Sequence, residues 1–284
     1  MAQQYKILHP VKYYRDFMSY DIRPDGRELL KFRPVIVNVG SISTADGSAI
    51  VKIGNTTVVC GIKAELVQPK TEEPNKGYLI PNVELPPLCS SRFRPGPPSD
   101  QAQVTSRLVA DIIENFKCID LTELCIAPDK LVWVLYCDLV CLDHDGALTD
   151  ACVAAIIAAL KTVSLPEVQY DAEINKKTVL EESRKPLNIT NIPVSTTYAI
   201  FDDSIILADP TSEEENLCTG IITVSISGSQ LYSLHKPGGS PLTDEQIDIC
   251  VEESKKRSKL INNLLTTALT SYDDKKNSQL LKKL

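Results

Sequence analysis

The stretch from Leu131 to Val163 constrains this chain most, because it holds two consecutive segments that shun water all round. Leu131 to Leu142 is almost wholly apolar, as a central strand covered on both faces would be. Asp145-Gly146 then turns the chain into a helix from about Asp150 to Val163, rich in Ala and Ile and apolar nearly all round, hence buried.

Upstream, Val35 to Val39, Ser48 to Ile53 and Thr56 to Ala64 read as a strand meander, with Asp46-Gly47 and Gly54-Asn55 at its tight turns. The proline-rich stretch Leu85 to Pro98 is too rigid for a helix and too short of donors for a central strand, so it predicts an ordered loop. Val104, Leu108, Val109, Ile112, Ile113 and Phe116 share one stripe of an amphipathic helix, expected to pack on the meander.

A polar connection, Pro166 to Pro186, leads to a second half with the same grammar. Strands near Val194 to Phe201, Ser204 to Ala208, Gly220 to Ile226 and Gln230 to His235 precede a long helix from Thr243. That helix opens with a capping box, Thr243 with Gln246. Its inner stripe is Ile247, Cys250, Val251, Ile261, Leu264, Leu265 and Ala268, which leaves Lys255, Lys256 and Arg257 outside. Two tandem strands-then-helix units predict an α+β fold with mainly antiparallel sheets. The expected layout is an N-terminal arm (1–32), a first domain (33–165), a linker (166–190), a second domain (191–272) and a charged, fraying tail (273–284).

A net charge of −7 and a pI near 5.1 argue against a free-standing nucleic-acid binder, so any RNA contact must be a local basic patch or be completed by partners. The nine cysteines include no CxxC pair and sit mostly in apolar runs, as buried thiols of a reducing compartment would. Cys137 and Cys141 share one face of the apolar strand and read as core thiols. His9, His144 and His235 lie far apart, and neither a metal nor a cofactor is expected. The first 25 residues carry charges throughout and no run of 18 apolar residues occurs, so neither a signal peptide nor a membrane span is expected.

Six places could carry chemistry. Arg92-Phe93-Arg94 sets two guanidinium groups beside an aromatic ring on a stiffened segment, suited to single-stranded RNA or to carboxylates at a subunit interface. Arg23-Pro24-Asp25-Gly26-Arg27 reads as a surface turn that docks the N-terminal arm. Asp143, His144 and Asp145 read as an acid/base cluster or as turn residues, and Asp202-Asp203 as a hairpin turn. The acidic run Asp209 to Glu215 follows an apolar strand, where its carboxylates would repel one another unless cations or Mg²⁺ stood near, the simple alternative being a solvated loop. His235 to Ser240 is a Gly-rich connector without the flanks of a P-loop.

In this order the motifs resemble the RNase PH family over roughly residues 20 to 265. The likeness rests on Arg23-x-Asp25-Gly26-Arg27, on Gly40-Ser41 through Asp46-Gly47-Ser48-Ala49 to Gly54-Asn55-Thr56, on Asp145-Gly146 before an Ala-rich helix, and on the acidic strand end at Asp209 to Glu215. Pro81 to Arg94 and His235 to Ser240 are similar to the non-catalytic branch of the eukaryotic RNA exosome ring. The resemblance implies a hetero-oligomeric ring of six RNase PH-like subunits, capped by S1/KH subunits. Its central channel guides single-stranded RNA to an associated hydrolytic exoribonuclease for 3′-to-5′ processing and decay, including rRNA maturation and mRNA turnover. It further implies residence in the nucleus, nucleolus and cytoplasm, with no membrane partner.

Active members resembling this fold carry Asp-Gly-Gly-Thr-Arg before the buried helix, the arginine and backbone amides holding the attacking phosphate. Here the stretch reads Asp145-Gly146-Ala147-Leu148-Thr149, so the former phosphate site is degenerate: Thr149 stands at the arginine position and Ala147 at the second glycine. Losing one preorganised charge-stabilising donor costs about 3 kcal/mol, or roughly 100- to 1,000-fold in rate. Asp209 and Glu215 fall near the family's catalytic acidic positions and read as vestigial. The expectation is therefore a non-enzymatic subunit, and the competing one an active phosphate-dependent exoribonuclease.

Overall fold

A computed structural model describes residues 2–171 and 176–281. Helices α1 (Ala2–Leu8) and α2 (Pro10–Met18) form the N-terminal arm. The first sheet contains β1 (Val35–Val39), β2 (Gly47–Ile53), β3 (Thr56–Val67), β4 (Tyr78–Glu84), β5 (Cys125–Ala127) and β6 (Leu131–Asp143). Its order is β1-β2-β3-β6-β4, with β5 also paired to β6. All pairings are antiparallel except β4 with β6.

Helix α3 (Asp100–Phe116) is capped by Ser99, whose hydroxyl accepts from the Ala102 amide at 3.3 Å. It packs on β4 and on α4 (Leu148–Leu160), not on the meander. The sequence reading missed β4, and β4 supplies the seat for α3 at the edge beyond β6. The inward stripe accordingly shifts to Ala102, Thr105, Val109, Ile112, Ile113 and Phe116, which leaves Val104 59% exposed.

The second sheet has the order β10-β9-β11-β12, formed by β9 (Val194–Phe201), β10 (Ile205–Ala208), β11 (Gly220–Ser227) and β12 (Gln230–His235). Helix α4 is wedged between the two sheets, against β2 and β3 on one side and β9 on the other. That position explains its all-round apolar sequence: every residue but Thr149 is buried.

The polar stretch over 166–190 is not a bare connection. β7 (Ser164–Asp171) and β8 (Lys176–Pro186) pair as a separate two-stranded sheet, with Val168 opposite Val179. Leu165 and Val168 of β7 pack on the first core while Val179 and Leu180 of β8 stay exposed, so the alternation of this ribbon is weak in the sequence. Residues 172–175 lie outside the described residues.

Helix α6 (Asp244–Leu281) opens as expected: the Gln246 amide donates to Thr243 Oγ1 at 3.3 Å, and the Thr243 amide to Gln246 Oε1 at 3.0 Å. Two side chains depart from the expected faces. Leu264 is 40% exposed, and Arg257 turns inward, its guanidinium carbon 4.6 Å from the centre of the Phe32 ring. The helix also continues past Tyr272 to Leu281 instead of fraying, because Leu269 and Tyr272 pack on the first core. Residues 282–284 of the tail lie outside the described residues.

Candidate functional site

The site forms where the N-terminal arm, the start of α4 and the end of β10 converge. Asp209 leaves β10 in the left-handed region (φ 50°), its amide donating to Thr197 O at 3.0 Å. The Asp209 carboxylate is buried and fully engaged. Oδ2 accepts from the Arg33 amide at 2.8 Å and from Arg33 Nε at 3.0 Å, and Oδ1 accepts from Arg33 Nη2 at 2.6 Å. Burial alone would raise this acid, but the Arg33 hydrogen bonds and charge outweigh it and hold the carboxyl below the usual range.

Two more arginines close the cluster. Arg27 Nη1 stands 3.6 Å from Asp209 Oδ2. Arg23 is fully buried and donates to Ala208 O at 2.6 Å, to Asp209 O at 3.1 Å and to both oxygens of Glu214. The surface-turn reading of Arg23 is therefore wrong. The loop reading of the acidic run is wrong as well, since the short helix α5 (Ser212–Leu217) begins there with a capping box between Thr211 and Glu214. The repulsion expected among these carboxylates is answered by cations: Arg33 and Arg27 at Asp209, Arg23 at Glu214 and Lys6 at Glu213. Among the described residues, no group of three or more His, Cys, Asp or Glu could hold a metal ion.

Facing this cluster is the turn into α4. Gly146 (φ 76°) and Ala147 (φ 49°) both occupy the left-handed region. A Cβ on Gly146 would lie 2.3 Å from Pro210 O, so only glycine fits. Thr56 Oγ1 fixes the turn by donating to Gly146 O at 2.7 Å and accepting from the Asp145 amide at 3.0 Å. The Ala147 amide, at the helix start, donates to Glu215 Oε1 at 2.7 Å. Burial pushes Glu215 up to about 7 despite this bond. Leu148 is buried and Thr149 half-buried in the first turn, neither offering a cation.

The two halves exchange carboxylates. Glu215 reaches from α5 to the start of α4, while Asp150 reaches from α4 to β9, accepting from the Thr197 amide and hydroxyl at 2.8 Å each. Burial drives Asp150 up to about 7 as well.

Arg92 and Arg94 are exposed on either side of Phe93, which is buried in the first core with Cys89. Neither guanidinium has a carboxylate within ion-pair distance among the described residues. Arg92 is near enough for its charge to act on His144 and Glu215, so it belongs to the rim of this site; no such contact ties Arg94 to it. His144 is buried beside Phe93, with Gln101 Nε2 3.3 Å from its Nε2, and burial lowers its basicity. It is a packed side chain and not an open acid/base group. Asp202 and Asp203 are turn residues in the left-handed region, as expected, and Asp202 pairs with Arg15 of α2 at 2.5 Å.

Sequence reasoning missed Arg33 altogether. The available signal was the demand of Asp209 to Glu215 for nearby cations, but nothing local connects a residue before β1 with one after β10.

Comparison with known proteins agrees with this architecture. A model of domain 1 of the 3′ exoribonuclease family matches residues 31–166, and one of domain 2 matches residues 191–257. The exosome complex component rrp43 of Schizosaccharomyces pombe is 39% identical over 254 residues, 89% of this chain and 94% of that protein. The exosome complex component Rrp42 of Pyrococcus furiosus is 38% identical over 248 residues, 87% of this chain and 89% of that protein. A chain from the Archaeoglobus fulgidus exosome, solved with RNA bound to the active site, superposes with a TM-score of 0.80 at 31% identity, covering 89% of this chain and 96% of its own. With two sheets flanking one buried helix, and both domain models matched in order along the chain, this protein belongs to the RNase PH family of 3′ exoribonucleases.

Proposed function

We propose that this chain is a non-catalytic subunit of an RNA exosome ring, where it helps line a channel that passes single-stranded RNA to a separate nuclease. Its flanking partners are other RNase PH-like ring subunits, with S1/KH subunits as caps and a hydrolytic exoribonuclease as the enzyme. Its place of action is the nucleus, nucleolus and cytoplasm.

The acids of the former site are held by the protein itself, and one observation carries the loss of catalysis: no cation stands in the first turn of α4. Asp209 gives its oxygens to Arg33, and Glu215 gives one to the Ala147 amide. Thr149 supplies no positive charge to hold a phosphate, and a phosphorolytic step needs a gripped phosphate. Arg92 and Arg94, exposed beside a buried aromatic anchor, remain as phosphate contacts for RNA moving past.

The test is incubation of the full chain, alone and in a reconstituted ring, with a poly(A) oligonucleotide, inorganic phosphate and Mg²⁺. No release of nucleoside diphosphates is expected. Release that stops on Asp209→Asn would overturn the proposal in favour of an active phosphorolytic enzyme.

A further inference from the structure

Between α4, β9 and α6 lies a small pocket of about 10 Å³. Ile53, Ala154 and Ile261 form its apolar walls, and Asp150, Ser195 and Arg257 its polar ones. Three facts about the polar walls are unusual together. Ser195 Oγ is buried and meets no hydrogen-bond partner among the described residues. Arg257 is half-buried over the Phe32 ring, yet no carboxylate among the described residues lies within 4.0 Å of it, although Asp150 lines the same pocket. Asp150 spends one acceptor site of each oxygen on Thr197 and has others left.

A buried hydroxyl without a partner is costly, and so is a half-buried cation facing an acid it does not touch. The pocket has room for about one water molecule, and a buried water typically satisfies about three polar groups. Opposite charges in one pocket, held beyond direct contact, are the setting in which water mediates.

We propose that one ordered water binds here, accepting a hydrogen bond from the Arg257 guanidinium and donating to the Asp150 carboxylate and to Ser195 Oγ. The water makes an indirect ion pair between the helix that ends the second sheet and the helix buried beneath the first. It is an internal joint of the two domains, independent of whether the ring reading holds. Burial lowers Arg257 and raises Asp150 to about 7, so the water links two charges once pH passes that value and a cation with a neutral carboxyl below it.

The test uses the full chain. Ser195→Ala removes one of the water's partners and is expected to lower Tm by about 2–4 °C. A dry pocket predicts the opposite sign, because deleting an unpaired buried hydroxyl relieves its desolvation. A double-mutant cycle of Asp150→Asn with Arg257→Lys is expected to be non-additive although the two groups do not touch. A high-resolution crystal structure is expected to show one density peak within hydrogen-bond reach of all three groups. A rise in Tm for Ser195→Ala, additivity in the cycle, or featureless density in the pocket would each overturn the proposal. If Arg257→Lys does not fold, the sign of the Ser195→Ala shift and the density decide.

Discussion

Arg33 and Asp209 lie 176 residues apart and meet in a buried, two-pronged pair, Nε to Oδ2 at 3.0 Å and Nη2 to Oδ1 at 2.6 Å. Arg33 also donates to the Asp145 carbonyl at 2.6 Å, so one side chain ties the entrance of β1, the turn before α4 and the end of β10.

Removing that side chain strips the buried Asp209 carboxylate of its side-chain hydrogen bonds and leaves it the residue-33 amide and the Arg27 guanidinium at 3.6 Å. Arg33→Met is therefore expected to destabilise the chain by about 3–5 kcal/mol, measured by urea denaturation. Arg33→Met combined with Asp209→Leu is expected to recover part of the loss, since no orphan charge remains.

The buried acids predict opposing pH responses. Asp150 and Glu215 are raised to about 7 from ordinary values of 3.8 and 4.5. The fold thus binds their protons more tightly than the unfolded chain does, and their contribution is complete below about 4 and lost as pH rises through about 7. Asp209 is lowered, so its contribution is present above 3.8 and lost as pH falls through its lower folded value. Denaturation midpoints between pH 5 and 8 should fall with rising pH, and Glu215→Gln should flatten that slope.

Gly146→Ala would place a Cβ 2.3 Å from Pro210 O at a φ of 76°. A non-glycine residue in a left-handed conformation costs about 1–3 kcal/mol before any clash. A loss of at least about 2 kcal/mol in a thermal or urea melt is expected.

Arg92→Ala with Arg94→Ala should weaken RNA binding by the assembled ring. If each guanidinium meets one phosphate of a single strand, the slope of log K against log salt should flatten by about 1.4. An unchanged slope, measured by fluorescence anisotropy over a salt series, would assign both arginines to subunit contacts.

What the sequence disclosed follows from where the information sits. Leu131 to Leu142 and the Ala-rich helix after it were legible because burial on all sides leaves no polar face to confuse the pattern. The four strands of the second sheet and the Thr243 cap were legible for similarly local reasons. β4 was not, because Pro81 inside it argues against a central strand; the structure places it at an edge, where a missing N–H is tolerated. Arg23, Arg33 and Arg257 were misread or missed for one reason. An arginine's sequence surroundings say nothing of an acid or ring that approaches from another element, and Arg23 meets Glu214 across 191 residues.

Helix α6 begins against β9 and β11 of the second sheet and ends against β1 of the first. Its later residues Ile261 and Leu265 sit in the first core, and the Tyr272 ring covers Gly40, where a Cβ would be 2.0 Å from the ring. Its 38 residues, about 57 Å of helix, act as a splint laid across both halves. A protease that nicked the β7–β8 ribbon would sever the peptide link between the halves without freeing either one, and the nicked chain would still migrate as a single particle until denatured.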